Sequence, residues 1–391
     1  RSFAELRVLD PCCGSGHFLV AAFEVLVRCR IEEDSLCAAD ACAAVLQENL
    51  YGLEIDERCT EIAVFALAVA AWSFPGAGGY RALPEMQIAC SGVAPQAKQE
   101  EWLALAGEDL RVRHGLQRLY DLFSQAATFG SLIAPAEVAS DLLAAGFAEV
   151  NPVLRRALSN EAVSGNYDRR ELAVAAHGIA AAARLLSGSY SLVCTNPPYR
   201  TLGDLDPLLA NYFRQQHDDA KWDLATVFLK RLLTLAGPGG VVAAVVPQNW
   251  LFLTSYGKFR RNLLRTTELG LLARLGPGAF ETITGEVVKS VLLTIGRAKP
   301  TRAFRAIDVS PSMPASKKAE DLRSSELMSF AQESMLRNPD SRIVLAELDD
   351  TPLLSQYADA PHGQGTFDSP RFSMRFWEVE TIDDGWVPQQ T

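Results

Sequence analysis

The chain has 391 residues, 48% of them apolar, so it can bury a large core and is expected to be globular. The 37 Lys and Arg against 47 Asp and Glu leave a net charge of −10, which argues against a free-standing nucleic-acid binder unless a local basic face supplies the phosphate contacts. No apolar run is long and uncharged enough to span a membrane, and the N-terminus does not read as a signal peptide.

Leu6 to Leu9 reads as a strand, and a glycine-rich loop, Asp10-Pro11-Cys12-Cys13-Gly14-Ser15-Gly16-His17-Phe18, follows it. Phe18 to Cys29 is then apolar at helical spacing. Leu50 to Asp56 reads as a second strand ending in acids, Ile62 to Trp72 as an apolar helix, and Met86 to Cys90 as a third strand. This alternation predicts a doubly wound parallel α/β sheet. From about Val93 to Ser189 the pattern turns Ala- and Leu-rich and helical, with breaks near Gly130-Ser131, Gly146 and Ser164-Gly165-Asn166. That is too long for an ordinary strand connection and is read as a helical insertion. The alternation resumes with a strand over Ser191 to Thr195 and a helix over Asp223 to Leu235. A turn at Gly237-Pro238-Gly239-Gly240 precedes a strand over Val241 to Val246 and a helix over Gly257 to Leu264. Leu271 to Leu275 and Val287 to Ile295 read as the last strands, and beyond Pro300 the chain is mixed and polar. It opens without Met, almost directly on a strand, so further sequence is expected upstream, and its end is expected inside another domain.

Gly14 and Gly16 let the backbone turn tightly and approach a ligand that a Cβ would exclude, and the helix behind them aims its N-terminus there. A lone G-x-G also fits a simple turn. The second feature is Glu54, which ends the next strand, where a carboxylate can grip ribose hydroxyls. Asp56 is the rival for that role but fits better as the N-cap of the following helix. Leu19 stands where a dinucleotide loop has its third glycine, so a dehydrogenase fits poorly. S-adenosylmethionine carries no phosphate; the loop would cup its amino-acid and ribose part, and Asp10 would take its ammonium group.

Asn196-Pro197-Pro198-Tyr199 follows the apolar run Leu192-Val193-Cys194-Thr195, at the strand edge where ligands of open parallel sheets gather. The exocyclic amine of adenine is a poor nucleophile because its lone pair is delocalised into the ring. Two acceptors on its two hydrogens, the Asn196 side-chain oxygen and the Pro197 carbonyl, would pull the nitrogen toward a tetrahedral shape and localise that pair. The prolines stiffen the backbone, so positioning carries the catalysis. Tyr199 could stack on the ring, a contact of about 1–3 kcal/mol per base. The amine is unreachable inside a duplex, so the base must be flipped out. Phe280 in Gly276-Pro277-Gly278-Ala279-Phe280 is the candidate for a second aromatic wall, with ordinary core packing as its alternative.

These motifs, Asp10-Pro11-x-x-Gly14-Ser15-Gly16-x-Phe18, Gly52-x-Glu54-x-Asp56 and Asn196-Pro197-Pro198-Tyr199, run in an order that resembles the gamma-class adenine-N6 DNA methyltransferases. Pro238-Gly239-Gly240, Val246-Pro247-Gln248-Asn249-Trp250 and Leu275-Gly276-x-Gly278-Ala279-Phe280 with Gly285-Glu286-Val287-Val288 resemble long Eco57I-like enzymes, and among them those of bacteriophage-exclusion (BREX) and DISARM phage-defence systems. Gly365-Thr366-x-Asp368 through Phe372, then Trp377-Glu378, resembles the start of their target-recognition region. The resemblance implies a Rossmann-like methyltransferase domain over 1–300, interrupted by the 93–189 insertion, and a linker with the beginning of a target-recognition region over 301–391. It implies that Asp10, Pro11, Gly14, Gly16, Phe18 and Glu54 bind S-adenosylmethionine and that Asn196, Pro197, Pro198 and Tyr199 hold the adenine. The acid usual after the third strand is missing; Ile88-Ala89-Cys90-Ser91-Gly92 offers Ser91 and backbone groups instead.

Lys258, Arg260, Arg261 and Arg265 cluster on one predicted helix, and Arg200 directly follows the Asn-Pro-Pro-Tyr motif; these are the candidates for DNA-backbone contacts, against a solvated helix face. The eight cysteines form no CxxC pair and the five histidines show no metal spacing, so no metal is expected and the thiols read as small apolar residues of a reducing cytoplasm. The expected partners are double-stranded DNA and other phage-defence proteins, with no membrane. Two alternatives stay open: a cofactor- and DNA-binding scaffold subunit with little turnover, and an RNA or protein-amide methyltransferase.

Overall fold

A computed structural model describes residues 2–95, 98–104, 106–135, 150, 152, 178–279, 288–300, 303–346 and 357–358. Its strands are β1 (Val8–Asp10), β2 (Leu50–Glu54), β3 (Gln87–Cys90), β4 (Tyr190–Thr195), β5 (Ala236–Pro247), β6 (Glu268–Gly276), β7 (Ser290–Gly296), β8 (Ala303–Asp308) and β9 (Met328–Ala331). They form one sheet in the order β3-β2-β1-β4-β5-β7-β6-β8-β9. β3, β2, β1, β4 and β5 are parallel, β7 is antiparallel to β5 and β6, β8 is parallel to β6, and β9 is antiparallel to β8. This is the doubly wound α/β sheet expected from the alternation.

Alternate residues of the buried strands feed two cores, as the two-residue period of a strand requires. Val8 and Leu50 pack with Leu19, Phe23, Ala63 and Leu67, from helices His17–Asp34 and Glu57–Ser73. Leu9, Tyr51 and Leu53 pack on the other face with Leu116 and Leu119 of helix Leu110–Phe123, Leu185 of a helix over 178–186, and Leu229 of helix Leu224–Leu235. The described helices of the 93–189 segment are therefore part of the sheet's own cover. Trp102, in helix Gln99–Ala104, is 1% exposed and donates its Nε1 hydrogen bond to the Leu116 carbonyl at 2.9 Å.

The structure departs from expectation in three places. The Gly237-Pro238-Gly239-Gly240 segment lies within β5, where the pairing with β4 shifts register between Tyr190 and Leu192. Two further strands, β8 and β9, follow the pair expected to be last. A helix, Ala38–Ala44, precedes β2 where none was read. Chain contacts divide the molecule into Arg1–Ala346 and Glu347–Thr391. Among the described residues no helix is long and apolar enough to cross a membrane. From β1 the chain moves to β2 and β3 on one side, then returns to β4 and β5 on the other. The topological switch point thus lies between β1 and β4, and ligands of such sheets bind beyond the strand ends there.

Candidate active site

β1 ends in Asp10, β2 in Glu54 and β4 in Thr195, and because these strands are parallel all three ends lie at one edge. Beyond β1 the chain turns back over β2: the Cys13 amide donates to the Leu53 carbonyl at 2.9 Å, and the Gly14 amide to Glu54 Oε2 at 2.8 Å. Gly14 and Gly16 have φ of +52° and +88°, which a residue with a Cβ adopts only under strain. A Cβ on Gly16 would also lie 3.1 Å from Ala63 of the neighbouring helix, whereas one on Gly14 would meet nothing within 4 Å. Gly16 lets two helices approach; Gly14 leaves open space beside the loop.

Glu54 has a second task that the sequence did not suggest. Its Oε1 accepts from the Ile55 amide at 2.8 Å and the Asp56 amide at 3.3 Å, so the carboxylate ties the loop after β1 to the turn after β2. Asp56 is the N-cap of helix Glu57–Ser73, accepting from the Arg58 amide at 3.0 Å, as its position led us to expect.

Asp10 is 1% exposed. Its Oδ1 accepts from the Cys12 amide at 3.1 Å, while Oδ2 has no hydrogen-bond partner. Burial pushes its carboxyl up to about 7, Thr195 and the Cys12 amide pull it part of the way back, and the Glu54 charge raises it further. Thr195 Oγ1, buried at the end of β4, makes no full hydrogen bond among the described residues, but its hydroxyl is near enough to the Asp10 carboxylate to lower it. Buried polar groups are almost always paired, so an Asp10 oxygen with no more than the Thr195 hydroxyl beside it leaves an acceptor open to a further donor.

Ser91 is fully buried, and its hydroxyl lies 3.3 Å from that of Ser131, which donates to the Pro11 carbonyl at 2.6 Å. Ser131 is a contact that sequence reasoning missed: it lies in the 93–189 segment and ties that segment to the glycine loop through the Pro11 carbonyl. Phe18 is 40% exposed at the start of helix His17–Asp34.

Beyond β4, Asn196 and Pro198 are exposed and Pro197 is buried. The Tyr199 hydroxyl lies 2.6 Å from the Asn196 side-chain amide and 3.0 Å from the Val245 carbonyl oxygen. Burial raises the Tyr199 hydroxyl well above its ordinary value, so it is un-ionised at neutral pH. The loop is held by the segment before helix Leu224–Leu235: the Leu202 amide donates to the Trp222 carbonyl at 3.1 Å and the Leu224 amide to the Arg200 carbonyl at 2.9 Å. Arg200 is exposed.

On helix Gly257–Thr266, Lys258, Arg261 and Arg265 are exposed, and Lys258 lies 3.6 Å from Asp218. Arg260 differs: it is 0% exposed, with Nη1 donating to the carbonyls of Trp250 and Leu253 at 2.6 and 2.7 Å and Nη2 to that of Asp340 at 2.8 Å. Its guanidinium is spent on backbone carbonyls, which takes it out of the set that could meet a phosphate. Phe280 lies outside the described residues.

The sheet order, the glycine loop after β1, the acid ending β2 and Asn-Pro-Pro-Tyr after β4 define a class, the Rossmann-like methyltransferase fold. Within it, residues 48–278 match the Eco57I restriction-modification methylase family, and the chain belongs to that family. Residues 1–77 also match the DNA-methyltransferase domain of MmeI. The chain is 31% identical over 330 residues to the adenine-specific methyltransferase BrxX of Escherichia coli O9:H4 (strain HS), covering 78% of this chain and 26% of that protein. It is 26% identical over 299 residues to the adenine-specific methyltransferase PglX of Lacticaseibacillus casei (strain Zhang), covering 75% of this chain and 24% of that protein. It thus spans about a quarter of the length of these relatives. The ATP-dependent Type ISP restriction-modification enzyme LlaBIII, solved bound to DNA, shares the fold at a TM-score of 0.50 and 12% identity, over 88% of this chain and 20% of that one.

Proposed function

We propose that this chain is the catalytic portion of a DNA adenine-N6 methyltransferase that marks self DNA in a phage-defence or restriction-modification system of the cytoplasm. The observation that carries the reading is that Asp10, whose buried Oδ2 lacks a full hydrogen bond, and the Asn196-Pro197 acceptor pair follow adjacent parallel strands, β1 and β4, at one edge of the sheet. When bound, S-adenosylmethionine supplies the methyl group. Its ammonium matches Asp10 Oδ2, since a cation beside that oxygen satisfies it and favours its charged form. Gly14 leaves the room, and Pro11, Gly16, Phe18 and Glu54 shape the rest of the pocket with Ser91 behind it.

Asn196 Oδ1 and the Pro197 carbonyl accept from the target amine and concentrate its lone pair, with Pro198 stiffening the clamp. Tyr199, and Phe280 from its own segment, flank the flipped base. Trp222, 41% exposed and hydrogen-bonded to the Ser255 carbonyl at 3.1 Å, stands in the segment that holds the Asn196 loop and offers a further aromatic surface. Arg200, Lys258 and Arg261 meet the DNA backbone. The methyltransferase domain is interrupted by the 93–189 insertion, and target recognition begins within 301–391.

The test combines calorimetric titration of S-adenosylmethionine with tritiated methyl transfer to unmethylated duplex DNA. Asp10→Asn should lose cofactor binding, while Asn196→Ala should keep binding and lose transfer. Full transfer by Asn196→Ala, or a labelled product that resists nuclease, would sink the reading.

A further inference from the structure

Tyr199 carries a hydroxyl that stacking on a base does not require. It lies 2.6 Å from the Asn196 amide and 3.0 Å from the Val245 carbonyl oxygen. Val245 sits in β5 opposite Leu292 of β7, so the sheet fixes its carbonyl. A hydroxyl has one proton. If both neighbours are acceptors, one contact leaves two oxygens facing each other with no proton between them. Val245 can only accept. The Asn196 amide has an accepting end and a donating end of nearly equal size. Turning that amide by half a rotation lets Nδ2–H donate to the Tyr199 oxygen while the Tyr199 proton goes to Val245. These three groups are then satisfied, the Tyr199 oxygen keeps a second lone pair for the Ser290 hydroxyl that also acts on it, and the contact opens by about 0.3 Å to ordinary N–H···O length. The same rotation sends Oδ1 outward, with both lone pairs free, from a residue that is exposed at the strand edge.

We infer that the Tyr199 hydroxyl is a positioning group: anchored on the Val245 carbonyl, it selects the Asn196 amide orientation that presents Oδ1 to the amine being methylated. This rests on the reading of Asn196 as an amine acceptor given above. The other orientation would aim N–H donors at N–H donors and repel the substrate. The Pro197 carbonyl has no second end, so Asn196 is the one of the two acceptors that needs such selection.

Two measurements test it. In protein carrying ¹⁵N in its asparagine side chains, Asn196 is assigned by the signal lost in Asn196→Asp. Tyr199→Phe should then shift one of its two Nδ2 protons and speed its exchange with solvent. Unmoved Asn196 protons overturn the inference, and do so whatever the protein catalyses. In single-turnover transfer, Tyr199→Phe should slow methylation by about tenfold or more, with DNA and cofactor affinities unchanged. In an Asn196→Asp background the carboxylate has no wrong end, so adding Tyr199→Phe should change the rate by less than about threefold. Equal losses in both backgrounds also overturn the inference. Responsive Nδ2 protons in a protein that methylates no DNA would instead leave the amide orientation standing and remove the proposed activity.

Discussion

Asp10 binds its proton more tightly in the folded chain than its residue type does in water. Its carboxyl is raised from 3.8 to about 7, so between those values the folded state holds a proton that the unfolded state has lost. Stability from this group is therefore greatest below pH 4 and falls as pH rises toward 7, by at most about 1.4 kcal/mol per pH unit. Asp10→Asn should flatten that slope, and urea midpoints at pH 5 and pH 8 measure it: the variant should gain more on the unaltered protein at pH 8 than at pH 5. Cofactor binding should show the opposite trend. An ammonium beside Oδ2 needs the charged carboxylate, so the Kd for S-adenosylmethionine should rise as pH falls below 7, with calorimetry at pH 8 and pH 6 as the check. That Asp10 would end a strand at the head of a tight glycine turn was legible, because Asp-Pro-x-x-Gly-Ser-Gly follows an apolar run. That its oxygens are only partly satisfied was not, since this depends on Thr195, 185 positions away, arriving beside it. Ser91 shows the same limit: its hydroxyl meets Ser131, a contact between parts of the chain that share no local pattern.

Helix Gly257–Thr266 separates two arginines that adjoin in sequence. Arg260 falls on the buried face with Phe259, Leu263 and Leu264, while Arg261 points to solvent. The 3.6-residue period held that distinction, but a run of cations drew attention to charge rather than phase. Burial lowers the Arg260 guanidinium to about 10, still protonated at neutral pH, and its hydrogen bonds join this helix to the loop after β5 and to Asp340 and Ser341. Arg260→Ala would leave several buried carbonyls unpaired and should cost about 3 kcal/mol or more of stability. Arg261→Ala should move the thermal midpoint by less than a degree or so and weaken DNA binding instead, an exposed charge contributing little to folding. Thermal melts beside DNA titrations of both variants check the division; equal melting points would refute it. Strands with several buried apolar residues, such as β4, β5 and β7, were legible within a few positions. β8 and β9 were not: β8 buries Phe304, Ala306 and Ile307 but sets them among Arg305 and Asp308, and β9, at the sheet's edge, exposes Met328, Ser329 and Ala331 and buries only Phe330. A four-residue edge strand is held by pairing with its neighbour, and pairing leaves little trace in composition.

At the scale of the molecule, the net charge of −10 opposes a polyanion, so the DNA affinity proposed above would have to come from how the charge is arranged. Arg200, Lys258 and Arg261 are exposed cations, and Lys258 shares Asp218 with Lys221, which lies 2.7 Å from the same carboxylate. If these three side chains each neutralise one phosphate, the logarithm of the association constant should fall against the logarithm of salt with a slope of about −3 from this part of the protein. A repelling acidic background leaves that slope unchanged in origin but lowers affinity at low salt, where screening is weakest. Replacing any one of the three by Ala should reduce the slope by about one and weaken all DNA sequences alike, because phosphate contacts carry no sequence information. Arg260→Ala, in whatever fraction remains folded, should leave it intact. Fluorescence anisotropy of a labelled duplex across 50 to 200 mM salt, a range over which counterion release is readily resolved, gives the slopes. A slope unchanged by all three substitutions would move the DNA backbone off this edge of the sheet and onto surface contributed by other parts of the protein.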